Sequence, residues 1–209
     1  MTLRLNGSTS GYTEIDCPSV GGNNTLVLPT GNGSSGQFLQ TNGSGALNWA
    51  GGGKILQVVQ TTKTDTFTTT STSYVDVTGL TASITPSSAS NKVLVFATLS
   101  GSMVNAVGGA PVLLRGSTVI NQADAASNRN RSSFSGGLHT GDGSGDIYMT
   151  LNASTLCLDS PSTTSSVTYK VQVKSFTGGG VFINRTENDA DDGDRLRSVS
   201  TITLMEVAA

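Results

Sequence analysis

Val167-Thr168-Tyr169-Lys170-Val171-Gln172-Val173-Lys174 sets Val167, Tyr169, Val171 and Val173 on one side of an extended chain. Thr168, Lys170, Gln172 and Lys174 fall on the other side. A period of two over eight residues is the mark of a half-buried β-strand. The segments around it read the same way. Upstream are Lys54–Gln60, Tyr74–Val77, Lys92–Leu99 and Pro111–Leu114, the last joined to Thr118–Ile120 through Arg115-Gly116-Ser117, which reads as a hairpin. Ile147, Met149 and Leu151 alternate with Tyr148, Thr150 and Asn152. Downstream, Val181-Phe182-Ile183 follows Gly178-Gly179-Gly180, and Val199–Val207 closes the chain. Lys92–Leu99 is apolar on both faces, which predicts a central strand between two layers. Roughly eight strands without an intervening helix predict an all-β fold, a β-sandwich resembling a jelly roll, over residues 54–209.

The chain changes character at Gly51-Gly52-Gly53. Residues 1–53 hold small apolar islands: Leu3 and Leu5, Ile15, Leu26-Val27-Leu28, Phe38-Leu39, then Leu47 and Trp49. Turn-rich segments such as Thr30-Gly31-Asn32-Gly33 and Thr41-Asn42-Gly43-Ser44-Gly45 separate them, so short strands are expected. Burying these few side chains falls well short of offsetting the conformational entropy of the segment. Regions this small lean on staples or partner chains. The expectation is therefore a short-stranded anchor and trimerisation stem over residues 1–53, its shared core built from Leu3, Leu5, Leu26, Leu28, Phe38, Leu39, Leu47 and Trp49. Residues 54–209 are expected to form the knob.

Composition narrows the function. Of 209 residues, 35% are hydrophobic, 12% charged and 26 are Gly, with a net charge of −2. So few charges argue against solvated disorder, and the absence of a basic stripe argues against a nucleic-acid groove. No apolar stretch approaches the ~20 residues that span a bilayer. The N-terminus lacks a signal-peptide run, so release of assembled particles by lysis is the expected route out of the cell. Cys17 and Cys157, far apart in sequence, read as two free thiols.

Candidate chemistry is sparse. The single histidine, His139, builds a metal site only if three copies converge on an axis, and no nucleophile-elbow sequence accompanies it. Glu187–Asp194 is acidic, but Gly193 falls fifth from Asp189, and no Glu occupies the twelfth position that an EF-hand requires. No Asp or Glu stands in an apolar context that would raise its pKa for glycosidase work. No catalytic residue, metal or cofactor is assigned. The expected contact surface lies on loops 100–110, 121–145 and 184–197, because loop tips face solvent. Its candidates are Asn105, Arg129, Arg131, Phe134, His139 and Asp191.

Leu3-Arg4-Leu5-Asn6-Gly7-Ser8-Thr9-Ser10-Gly11-Tyr12 resembles the start of fibre-like virion structural proteins of tailed phages, especially those infecting marine cyanobacteria. So do Leu26–Gly33 and Gly36–Trp49, a strand-turn-strand ending in Trp. Thr168–Lys174, Val181–Arg185 and Ser200–Glu206 are similar to the last strands of the same proteins. The resemblance covers most of residues 1–50 and 165–207; the middle carries none. It implies a homotrimer attached to tail, baseplate or capsid by one end, bearing a distal β-rich knob that often resembles a tumour-necrosis-factor-like jelly roll. It transfers no catalytic residue.

The leading expectation is thus a non-enzymatic virion appendage, exposed on the particle and contacting host-surface glycan. A capsid decoration protein is the alternative, and a polysaccharide depolymerase the remote one.

Overall fold

The computed structural model describes residues 3–6, 9–15, 22–23, 25–51, 53–103, 109–135 and 150–209. Asn105, His139, Cys17 and the segment Ile147–Met149 lie outside the described residues. The chain divides into two compact units, Met1–Gly53 and Lys54–Ala209. The described residues form antiparallel β-sheets and contain no helix.

Among the described residues the first unit contains two hairpins. Strand β1 (Leu3–Asn6) pairs with β2 (Tyr12–Ile15), and β3 (Gln37–Thr41) with β4 (Leu47–Gly51). The β3–β4 turn is held by Asn42, whose Oδ1 accepts the amides of Ser44 (2.8 Å) and Ala46 (3.2 Å). Such side-chain-to-backbone bonds are why Asn recurs in turns. Val27 docks beside this turn through Val27 N to Gly45 O (2.9 Å) and Leu47 N to Val27 O (2.8 Å). That approach requires glycine at 45, where φ is +89° and a Cβ would stand 2.2 Å from the Thr25 carbonyl oxygen.

The second unit holds β5 (Ile55–Lys63), β6 (Phe67–Thr69), β7 (Val75–Ile84), β8 (Lys92–Met103), β9 (Val112–Arg115), β10 (Thr118–Ile120), β11 (Leu151–Asp159), β12 (Val167–Val173), β13 (Val181–Ile183) and β14 (Ser200–Val207). One sheet runs β10-β9-β12-β7. In the other, β11 lies along one edge of β8 while β14 and β13 follow one another along the opposite edge. β5 and β6 in turn pair with β14 and β13. β5/β6 and β13/β14 are each one strand interrupted. The described strands of this unit therefore occupy eight positions, with β5/β6, β7, β8 and β9 paired to β13/β14, β12, β11 and β10 respectively. This nested pairing of first with last is the jelly-roll winding.

The alternation read from Val167–Val173 is borne out. Tyr169, Val171 and Val173 are fully buried between the sheets with Leu80, Ile84, Val93, Val95, Leu99, Leu113, Ile202 and Leu204. Two polar clusters tie the strands together in the interior. Tyr169 Oη donates to Asp159 Oδ2 (2.7 Å), and Arg115 Nη1 donates to both Asp159 oxygens (2.8 and 2.9 Å), so a residue of β11 is tied to β9 and β12 of the opposite sheet.

The second cluster centres on Asn184, fully buried with φ +61°, where β13 gives way to the 184–199 loop. Its Nδ2 donates to the carbonyls of Lys63 (2.8 Å) and Asp65 (2.9 Å), spanning the break between β5 and β6. Its Oδ1 accepts from Ser200 Oγ (2.7 Å), and its backbone N donates to Ser100 O (2.9 Å). One side chain thus satisfies the polar groups exposed by both interruptions, as burial requires.

Two strand readings need correction. The extended segment after Leu151 continues to Asp159, with small Ala153 and Thr155 inward and large Leu156 and Leu158 outward. β8 is central in its sheet, but one of its two apolar faces is partly open instead of covered by a second layer, with Phe96 41% exposed.

Candidate functional site

The outer face of the β5–β14–β8–β11 sheet is the unusual surface of the second unit. Register places Val58, Met205, Leu94 and Leu158 side by side across four strands. The next row is Gln60, Thr203, Phe96 and Leu156; the next is Thr62, Thr201, Thr98 and Ser154. None of these side chains is charged. Hydroxyl and amide groups bond within the face, Thr98 Oγ1 to Thr201 Oγ1 at 2.9 Å and Gln60 Nε2 to Thr203 Oγ1 at 2.9 Å. Val58, Leu156 and Leu158 are 57%, 61% and 51% exposed.

The opposite sheet presents an ordinary solvated face. Lys170 Nζ and Gln172 Nε2 donate to the Asp76 carboxylate at 2.9 and 2.7 Å, and Ser83 Oγ meets Thr168 Oγ1 at 2.8 Å. An antiparallel sheet with one solvated face follows the common pattern. A contiguous, uncharged, half-exposed apolar row does not, and such patches mark interaction surfaces.

Among the described residues this row adjoins an open edge, where β11 pairs with β8 and no other strand. On its far side Ser154 exchanges both backbone hydrogen bonds with Ser135 (2.8 and 3.1 Å). By the alternation of an antiparallel ladder, Leu156 and Leu158 turn their backbone groups to that same open side. Unprotected edges invite another chain.

The sequence candidates are dispersed. Arg129, Arg131 and Asp191 are exposed on loops. Arg131 donates through Nε to the Ala123 carbonyl. Phe134, expected to project from its loop, is only 7% exposed and belongs to the hydrophobic core, because apolar burial outweighs its loop position. In the first unit Leu26, Leu28, Phe38 and Leu39 are exposed within the single chain. Leu47 and Trp49 are half-buried, and the Trp49 indole N–H donates to Gly31 O at 2.6 Å. The side chains of Leu3 and Leu5 lie outside the described residues. Among the described residues no three His, Cys, Asp or Glu side chains cluster as metal ligands. The acidic loop pairs with its own arginines: Arg197 with Asp189 at 2.9 Å, Arg185 with Asp189 at 3.7 Å, and Arg195 with Asp194.

Buried titratable groups are held in states suited to structure. Burial, reinforced by the nearby Asp159 charge, pushes the free Cys157 thiol up to about 11, leaving it protonated and poorly nucleophilic at neutral pH. Burial of Glu206 opposes its ionisation. The donors Asn91, Gln57 and Ser87 overcome that penalty and hold its pKa at about 2. The folded pKa lies below the ordinary 4.5, so this contribution is present above pH 4.5 and is lost as pH falls towards 2. Urea midpoints should fall across that window. Glu206→Gln should flatten the fall and cost roughly 2 kcal/mol at pH 7, because bonds to a charged acceptor are lost. An unchanged profile in the variant would remove Glu206 from the account.

No protein-family model and no curated protein matches the sequence. Among solved structures the chain is similar to a chain of infectious bursal disease virus Gt strain, at 13% identity and TM-score 0.32, with 98% of this chain and 46% of that chain covered. A chain of the Gx strain matches at 12% identity and TM-score 0.34, with 98% and 45% covered. The chain thus spans about half the length of the structures it matches.

Proposed function

We propose that this protein is a non-enzymatic structural component of a virus particle, a homotrimeric appendage anchored to other virion proteins through residues 1–53 and exposing residues 54–209. The observation that carries the reading is the apolar row Val58–Met205–Leu94–Leu158, with an edge of β11 beside it that no other described strand pairs. Both features need cover. A head-to-tail contact that packs another copy against this face covers the apolar row, and heterologous contacts of this kind close into rings. Burying the exposed half of each large apolar side chain contributes about 1 kcal/mol apiece. A ring of three accords with a first unit whose Leu26, Leu28, Phe38 and Leu39 lack cover within one chain.

Phe96→Glu combined with Leu158→Glu should lower the mass in solution from three chains to one while leaving the far-ultraviolet β signature intact, because both side chains point away from the sandwich core. A variant of unchanged mass would place the interface elsewhere. Counting copies on purified particles separates an appendage, with a few to a few dozen, from a decoration protein present in hundreds.

A further inference from the structure

Asn-Gly pairs begin at Asn6, Asn32 and Asn42, and the described residues include both members of the last two. In such a pair the glycine nitrogen, unhindered by a Cβ, lies within reach of the preceding side-chain amide, and proximity makes their reaction intramolecular. The two described pairs share this chemistry and differ in how they are held.

At Asn42 both reacting groups are tied. Its Oδ1 accepts the amides of Ser44 and Ala46, and the Gly43 N–H donates to Thr41 Oγ1 (3.1 Å). Its own backbone N–H donates to Ala46 O (3.0 Å). Attack requires giving up these bonds first. At Asn32 neither group is tied. The residue is exposed, and among the described residues nothing bonds to its amide or to the Gly33 N–H. Glycine is nonetheless required at 33. Its φ is +70°, and a Cβ there would stand 2.6 Å from the Trp49 ring. The indole of that ring also donates to Gly31 O. Packing on Trp49 thus demands a glycine directly after an unrestrained asparagine.

We propose that Asn32-Gly33 is a site of spontaneous chain rearrangement, selected over Asn42-Gly43 by the fold, and that its conversion loosens the 31–33 segment from Trp49. Gly33 N loses its proton and bonds to Asn32 Cγ. The Cγ–Nδ2 bond breaks, and ammonia leaves with a proton. Water then opens the succinimide. Opening at the backbone carbonyl breaks its bond to Gly33 N and leaves iso-aspartate, with the side-chain methylene now in the main chain. Opening at Cγ leaves aspartate. Both products add a negative charge, and iso-aspartate lengthens the backbone next to the tight Gly33–Trp49 contact. The site lies within one chain and does not depend on the number of copies.

Ageing the intact protein at mildly alkaline pH, followed by proteolysis and tandem mass spectrometry that separates iso-aspartate from aspartate, tests the proposal. Asn32 should convert at least ~10-fold faster than Asn42, a barrier difference of about 1.4 kcal/mol. Its rate should rise with pH, because the attacking nitrogen must lose a proton. In urea the two pairs should convert at similar rates, since folding is what separates them. The chain has a single tryptophan, so Trp49 emission should shift to the red in step with conversion at Asn32. Asn32→Gln, whose longer side chain closes the ring poorly, should hold the emission constant. No conversion at Asn32, conversion of Asn42 as fast in the folded chain, or a difference that persists in urea would overturn the proposed selectivity. Complete conversion at Asn32 with unchanged emission would overturn the link to Trp49.

Discussion

Asn184→Ala should lower the stability of the 54–209 unit by about 4 kcal/mol or more, the largest single-residue effect expected outside the hydrophobic core. Two mechanisms add. The alanine removes the donors for the Lys63 and Asp65 carbonyls and the acceptor for Ser200 Oγ, and of these residues Lys63 and Ser200 are buried while Asp65 is exposed. Each buried polar group left unmatched costs about 1–3 kcal/mol. The backbone there also sits at φ +61°, where Asn is tolerated and Ala is strained. Asn184→Gly separates the two, since it relieves the strain and keeps the hydrogen-bond loss. It should recover about 1 kcal/mol and no more. Urea denaturation of both variants reads this directly. Near-wild-type midpoints would show that the interrupted outer strands hold together without the asparagine.

Asp159→Ala should cost about 3 kcal/mol. The carboxylate accepts from the fully buried Tyr169 phenol and from Arg115 Nη1, which also donates to the Ser160 carbonyl at 3.1 Å. Burial, strengthened by Asp159, raises the Tyr169 pKa, so the phenol stays a donor at any pH the protein encounters. Deleting the acceptor leaves that donor without a partner in the interior and separates a partly exposed ion pair, which moderates the loss relative to a fully buried pair. Tyr169→Phe removes donor and demand together and should cost only about 1 kcal/mol. The ordering Asp159→Ala well above Tyr169→Phe is the test. Equal costs would mean that the staple between the sheets contributes little.

The jelly-roll-like sandwich was legible because its inward faces are written in large residues at period two: Tyr169, Val171 and Val173 on β12, and Val93, Val95 and Leu99 on β8. The hairpin through Gly116, where φ is +58°, was legible for the same reason that turns select glycine. β11 was read short because its pattern is inverted, with Ala153 and Thr155 inside and Leu156 and Leu158 outside. The same inversion belongs to the apolar face. Sequence did hold the signal for that face, in the double-sided apolarity of Lys92–Leu99, but periodicity alone cannot tell a strand covered by its own chain from one left partly open. Phe134 shows the opposite error: a loop aromatic surrounded by polar residues packs inward once the loop closes over the core. Asn184 carried no local signal, since its partners at Lys63, Asp65 and Ser200 become neighbours only after the first and last strands pair.

Sedimentation equilibrium of the intact chain, over a hundredfold range of concentration near neutral pH, tests the self-association through the β5–β14–β8–β11 face most directly. A mass of three times 21.3 kDa, holding as the protein is diluted, is the expected result. A well-folded species of 21.3 kDa at every concentration would contradict it.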